Sequence, residues 1–246
     1  MRRNTYIGIT VIIIIFGIII LPKIFKRVAN DDVVRGGRMN VVGGMQQSDT
    51  EEGLAYITLN GKDRKAPAFT FVNQDNDTIT NADYKGKVYL VEFFFSRCIN
   101  ICIPMSYNLQ EIATTFKDED NFGIASFSID PNHDTPEVLK AYAADYNVTH
   151  PNWNFLTGDF EMVYELSNVG FNIPVGQNDS EDNLGLYHSG LFALVDQNGF
   201  LRSRRDDYGN PIIYYRGFIP NDAEIIEGGE TSQVNELIED IKTLLE

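Results

Sequence analysis

The sequence predicts an α/β sandwich, with helices on both faces of a central sheet and an N-terminal transmembrane helix ahead of it. Three observations carry this. The apolar run Val88-Tyr89-Leu90-Val91-Glu92-Phe93-Phe94-Phe95 reads as a buried strand, and further short apolar runs alternate with helix-compatible stretches down the chain. A composition of 43% hydrophobic and 12% aromatic residues over 246 positions is enough for a real core and suits one domain plus a tail. Near the N-terminus, Tyr6 to Leu21 is almost purely apolar between basic flanks.

The expected organisation is a short segment at 1–5, an anchor at 6–25, a flexible tether at 26–53 and a folded domain at 54–246. The apolar core of the anchor, Tyr6 to Leu21, spans about 24 Å as a helix, short of a bilayer's apolar thickness unless Ile24 and Phe25 extend it. Arg2 and Arg3 precede it and Lys23, Lys26 and Arg27 follow, so flanking charge gives it no orientation. Pro22 to Arg27 offers no small-residue cleavage site, which makes an uncleaved anchor the expectation. From Asn30 to Gly53, two Gly-Gly pairs and the polar run Gln46 to Glu52 cannot bury enough apolar surface to fold alone.

Within the domain, Ala68–Val72 and Thr78–Thr80 flank a polar turn at Asn73–Asp77 and predict a small hairpin. Lys87–Phe95 is the central strand, followed by a helix that bears the cysteines and runs through Phe116. Phe122–Ile129 is the next strand. Thr135-Pro136 then supplies an N-cap and a first-turn proline for a helix to about Tyr146. Trp153–Leu156 is a short strand, and Asp159 caps a helix through Asn168. Gly190–Asp196, the turn Gln197-Asn198-Gly199 and Phe200-Leu201-Arg202 form a second hairpin, before an amphipathic helix from about Ser232 to Leu245. This order resembles the thioredoxin-like α/β sandwich.

Twenty Lys and Arg against 35 Asp and Glu give a formal net charge of -15, which excludes the basic surface that nucleic acid requires. The chain's two cysteines, Cys98 and Cys102, sit where the central strand hands over to a helix. Unpaired N–H groups and the positive dipole end of a helix favour a thiolate, the form that attacks disulfides or binds soft metals. A structural disulfide closing so short a loop would remove little unfolded-state entropy, so the pair reads as a reactive centre. In a thioredoxin-like fold the residue just before the second hairpin approaches such cysteines. Where reductases of that fold carry a cis-proline, this chain has Tyr187-His188-Ser189-Gly190. Two thiolates and an imidazole suit Cu(I), so Cys98, Cys102 and His188 are the candidate copper ligands, and the two cysteines are the catalytic pair if the chain is redox active.

Three motifs, Phe94-Phe95-Ser96-Arg97-Cys98-Ile99-Asn100-Ile101-Cys102, Ser128-Ile129-Asp130-Pro131-Asn132-His133-Asp134-Thr135-Pro136 and Tyr187-His188-Ser189, resemble in this order the Sco/SenC proteins, membrane-anchored copper chaperones for cytochrome c oxidase. The resemblance runs from about Pro67 to the C-terminus. It implies a thioredoxin-like fold, a copper site of two cysteines and one histidine, and delivery to the copper-bearing subunit of the oxidase. It also implies a single-pass inner-membrane protein with its domain on the extracytoplasmic, periplasmic side. The chain departs from the family pattern at Ile99 and Ile103, where prolines usually follow the cysteines, and at Asn100, Tyr187 and His133, which replace an acid, an aspartate and an arginine. Two inserts, 174–185 and 203–229, enlarge the neighbourhood of the site, either as solvated loops or as shapers of partner choice.

Other chemistry-bearing residues read as structural. His133 and His150 suit capping or surface roles, Met105 suits core packing, and Asp130 and Asp134 suit turn formation and capping before any proton or partner role. No glycine-rich phosphate loop or nucleophilic serine elbow is visible. The rival function is a membrane-tethered thiol–disulfide reductase acting on oxidase or other extracytoplasmic cysteines, and a third is a copper or redox sensor that signals by docking.

Overall fold

The structure, a computed structural model, describes residues 53–177, 182–223 and 230–246, and every strand and helix expected within them is present, with bounds that match or differ by a few residues at the ends. The expected anchor lies outside the described residues. Among those described, no helix is long and apolar enough to cross a membrane.

Three small pairings open the domain: β1 (Ala55–Tyr56), the hairpin of β2 (Thr58–Leu59) and β3 (Lys62–Asp63), and the hairpin of β4 (Thr70–Val72) and β5 (Thr78–Thr80). A 3-10 turn at Asn81–Tyr84 follows, with a reciprocal cap between Thr80 and Asp83. Strand β6 (Val88–Phe94) is buried along its whole length, as is β7 (Phe122–Ser128), which pairs with it in parallel. Strands covered on both faces need apolar residues at every position, which is why both runs show no alternation. Between them lies helix α1 (Cys102–Thr115). Helix α2 (Pro136–Asp145) follows β7 and is capped by the Thr135 hydroxyl, which accepts from Val138 N–H. Strand β8 (Trp153–Leu156) pairs in parallel with β7, and helix α3 (Phe160–Glu165), capped by Asp159, runs into a π-helical turn at Leu166–Phe171.

Strands β9 (Val175–Gln177) and β10 (Leu186–His188) form an antiparallel pair. Then come β11 (Leu191–Val195), β12 (Leu201–Ser203), β13 (Tyr215–Arg216) and helix α4 (Val234–Leu245). The main sheet has the order β1-β12-β11-β6-β7-β8, and β13 pairs with the start of β11 where β12 pairs with its end. Its outer edges are blunt. At one edge β1 contributes two residues, and the Arg202 guanidinium lies 3.9 Å over the Tyr56 ring. At the other, the Gln74 side chain accepts from Phe155 N–H (2.8 Å) and donates to Trp153 C=O (3.2 Å), and Val72 and Thr157 exchange backbone hydrogen bonds.

Alternating side chains of β6 split the core in two. Phe94 meets Phe155 and Tyr142 of α2 on one face, where Ser106 of α1 also reaches the Tyr142 hydroxyl. Phe93 stacks on Phe127 on the other face, which Phe69, Phe71 and Phe171 close. The predicted sandwich is therefore realised. The inserts prove to be more than solvated loops, because the described part of 174–185 carries β9 and that of 203–229 carries β13, with Tyr215 and Ile219 fully buried.

One polar residue interrupts the core of β6. Glu92 is buried, accepts from the Ser126 hydroxyl at 2.6 Å, and leaves its second carboxyl oxygen without a partner. The Ser126 hydroxyl is itself held by Trp153 Nε1 at 3.0 Å. Burial pushes the Glu92 carboxyl up to about 7, only partly countered by Ser126, from 4.5 in an unfolded chain. A raised carboxyl contributes its full stability below about pH 4.5 and loses it as pH rises through about 7. Chemical denaturation across that window is expected to show wild type losing up to about 3 kcal/mol that a Glu92→Gln variant keeps. Parallel pH profiles for the two proteins would refute this.

Candidate metal centre

The central strand delivers its last residues to a turn held by one buried carboxyl group. Asp134 has no exposed surface, and its two oxygens accept from Ser96 N–H (3.0 Å), the Ser96 and Ser128 hydroxyls and His133 Nδ1 (2.9 Å). Next to it, Arg97 donates through Nε to Asp130 (3.1 Å), and Cys98 N–H donates to Phe95 C=O (3.1 Å). The second motif of the sequence thus fixes the first. Asp134 belongs to the helix-capping segment, as expected, and its hydrogen bonds reach across to the residue two before Cys98.

Cys98 and Cys102 are free and buried, with Cys102 the first residue of α1. No side chain caps that helix, so its N-terminal N–H groups are left to face the turn. His188 ends β10, two residues ahead of Gly190. Gly190 has φ of 67°, and a Cβ there would stand 2.9 Å from Phe218 and 3.3 Å from Ile101. Only glycine brings the chain this close to the cysteine turn without strain. From the opposite side, the Asn168 amide clamps both backbone groups of Val175, the register partner of His188, at 3.1 and 3.2 Å.

The result is convergence. His188 Nε2 stands 2.9 Å from Cys102 Sγ and 3.9 Å from Cys98 Sγ, and the three candidate ligand atoms lie within 4.8 Å of one another. Phe95 packs edge-on to the imidazole at 5.9 Å, and His188 Nδ1 is buried without a partner. The thiols are strongly unequal. Hydrogen bonding from Cys102, helped by His188 and the Asn100 and Cys102 N–H groups, pushes Cys98 down to about 4 against the opposing effect of burial. Burial first, and donation to Cys98 second, drive Cys102 far up. One preformed thiolate, a second sulfur that gives up its proton late and an imidazole nitrogen make a soft, buried, three-point donor set.

The remaining residues fall as the sequence suggests. Met105 is fully buried in the core, and His150 Nε2 meets the Phe116 C=O at the end of α1. His133 stays with Asp134 and Ser96, away from the cysteines. A second cluster, Asp130, His133 and Asp134, has its groups already engaged by Arg97, Ser96 and Ser128. Sequence reading missed Glu92 and Asn168. A lone acid in an otherwise apolar strand marked the first, and nothing marked the second.

The SCO1/SenC family model matches residues 58–216. A SCO1 protein homolog of Bacillus subtilis is 36% identical over 133 residues, which cover 53% of this chain and 68% of that relative. Among solved structures, BsSco, described as a member of the Sco family of cytochrome c oxidase assembly proteins with a disulfide switch, superposes with a TM-score of 0.58 at 30% identity, covering 74% of this chain and 93% of that one. Copper-bound ScoI of Bradyrhizobium japonicum, at 20% identity and a TM-score of 0.53 over 73% and 99% of the two chains, shows the same fold.

Unequal thiols have a direct readout. A thiol of ordinary pKa loses about 100-fold of its thiolate between pH 7.5 and 5.5, whereas Cys98 is ionised throughout. Iodoacetamide labelling followed by peptide mass spectrometry is expected to modify Cys98 at nearly the same rate at both values and to leave Cys102 unlabelled in the folded chain. Parallel labelling of both thiols, rising steeply with pH, would contradict the assignment.

Proposed function

The chain belongs to the SCO1/SenC family, and from that premise we propose that it is a membrane-anchored copper carrier. It binds Cu(I) through Cys98, Cys102 and His188 and delivers it to the copper centre of cytochrome c oxidase. The observation that carries this reading is the meeting of His188 Nε2 with two sulfurs from a distant segment, with all three residues buried. Soft sulfur with one imidazole suits Cu(I) over harder divalent ions. The copper-bound relative and the oxidase-assembly relative support the choice of metal and of receiver.

In this reading the Cys98 thiolate captures the ion, Cys102 releases its proton on ligation, and His188 completes the set. Transfer proceeds by exchange of these ligands for those of the receiver, one at a time, with no net redox change. The anchor at 6–25 places the domain outside the inner membrane, and the tether at 26–53 raises its effective concentration near a membrane-bound partner.

The inequality of the thiols favours a second reading, a tethered thiol–disulfide reductase. A low-pKa thiol attacks a disulfide, and its partner then resolves the mixed disulfide. The two readings separate at His188. Competition of the reduced chain against a Cu(I) chelator is expected to show stoichiometric retention, lost in Cys98→Ser, Cys102→Ser and His188→Ala alike. His188→Ala is expected to leave oxidation of the dithiol by a disulfide largely intact. A His188→Ala chain that holds Cu(I) as tightly as wild type would remove the carrier reading and leave the reductase.

A further inference from the structure

Beside the metal centre runs a groove that copper binding does not use. Ile103, Pro104, Tyr107 and Glu111 of α1 line one wall, Pro220 and Asp222 stand opposite, and the space between is about 830 Å³. Its floor is fixed. Buried Asn108 donates to the Gly217 and Ile219 C=O groups, each at 2.8 Å, and accepts from Asn221 N–H at 3.2 Å. A groove pinned this way needs no rearrangement to receive a ligand. The far wall follows residue 216, beyond the residues that the family model matches.

Polarity along the groove is graded. At the cysteine end Ile103 and Tyr107 are 41% and 59% exposed, and Ile99, on the turn between the two cysteines, is 74% exposed. Large apolar groups clustered at a functional mouth mark a surface that is covered in use. The other end carries Glu111 and Asp222, and among the described residues neither pairs with a cation. Nine residues of helix put Glu111 about 14 Å beyond Cys102.

We propose that this groove seats the protein that receives the copper. The segment it takes presents an aliphatic or aromatic side chain next to the receiving ligands and a lysine or arginine about 14 Å further on. The proposal rests on the copper-carrier reading and adds to it the surface and the chemistry of the receiver. Charge complementarity selects this occupant over a second copy of the chain. With 35 Asp and Glu against 20 Lys and Arg, a formal net charge of -15 makes two copies of the chain repel each other, whereas a cationic segment is steered to the acidic groove end.

The test uses the full chain in detergent micelles, loaded with Cu(I), and the metal-free copper-bearing domain of the oxidase from the same organism. Copper transfer is followed by rapid mixing at several salt concentrations. Glu111→Lys combined with Asp222→Lys is expected to slow transfer about tenfold and to flatten its salt dependence, and Tyr107→Ala to speed dissociation. Chelator competition and the melting temperature are expected to stay at wild-type values, which separates lost docking from lost folding. The milder Glu111→Gln with Asp222→Asn is expected to fall between. Chains that hold copper and deliver it at unchanged rates in every variant would overturn the groove and spare the carrier reading. Sedimentation showing a dimer that the variants dissolve would instead give the groove to a second copy. A wild-type chain that loses Cu(I) to the chelator would overturn the carrier reading and this proposal together.

Discussion

A carboxyl group with no access to water must be met by donors on every side, and at Asp134 two of them, the Ser96 N–H and hydroxyl, come from the turn that leads into Cys98, beside the Ser128 hydroxyl and His133. The network is all-or-none, because a half-satisfied buried acid costs more than a fully apolar site. It sets where β6 stops and how the chain leaves the sheet. Placement of Cys98, the start of α1 and hence Cys102 follow from it. The parallel pairing of β6 and β7 makes this possible, since Phe94 and Ser128 are register partners and both motifs leave the sheet at the same end.

The third ligand is positioned by different means. His188 arrives on a two-stranded ribbon that is not part of the main sheet, held from behind by Asn168 on the π-helical turn and turned inward by Gly190. A cysteine pair on the turn between the central strand and α1, and an imidazole on a separate ribbon, form a site whose two halves have separate supports. That division also explains the electrostatic asymmetry. Cys98 lies among N–H donors at the turn, whereas Cys102 lies beneath it, where burial keeps its proton in place.

Much of this was readable in the chain. Strands β6, β7 and β8 and helices α2 and α3 were legible because a buried parallel strand is an unbroken apolar run and because Thr135 and Asp159 are strong caps. The two cysteines and His188 were legible as a set only through the fold, since nothing local distinguishes one histidine from another. The ribbon of β9 and β10 escaped because Val175–Gln177 is three residues long, and its pairing depends on a side-chain clamp from Asn168 with no sequence signature. Strand β13 escaped for a similar reason. Tyr215 is buried by its hydroxyl's bond to Asp240, 25 positions away, and no local pattern of hydropathy announces such a contact. Within β6, Glu92 was absorbed into an apolar run that it contradicts.

The Gln74 side chain, lying against β8, has a consequence for the molecule among its own kind. An open sheet margin is a template, and a passing chain can zip onto its bare amides. Here an amide side chain stands in for the missing neighbour at Phe155 and Trp153, and the backbone of Val72 takes over at Thr157. The rim is thereby sealed from within the same polypeptide, so that crowding many such domains together does not turn this margin into a strand-to-strand route to fibrils.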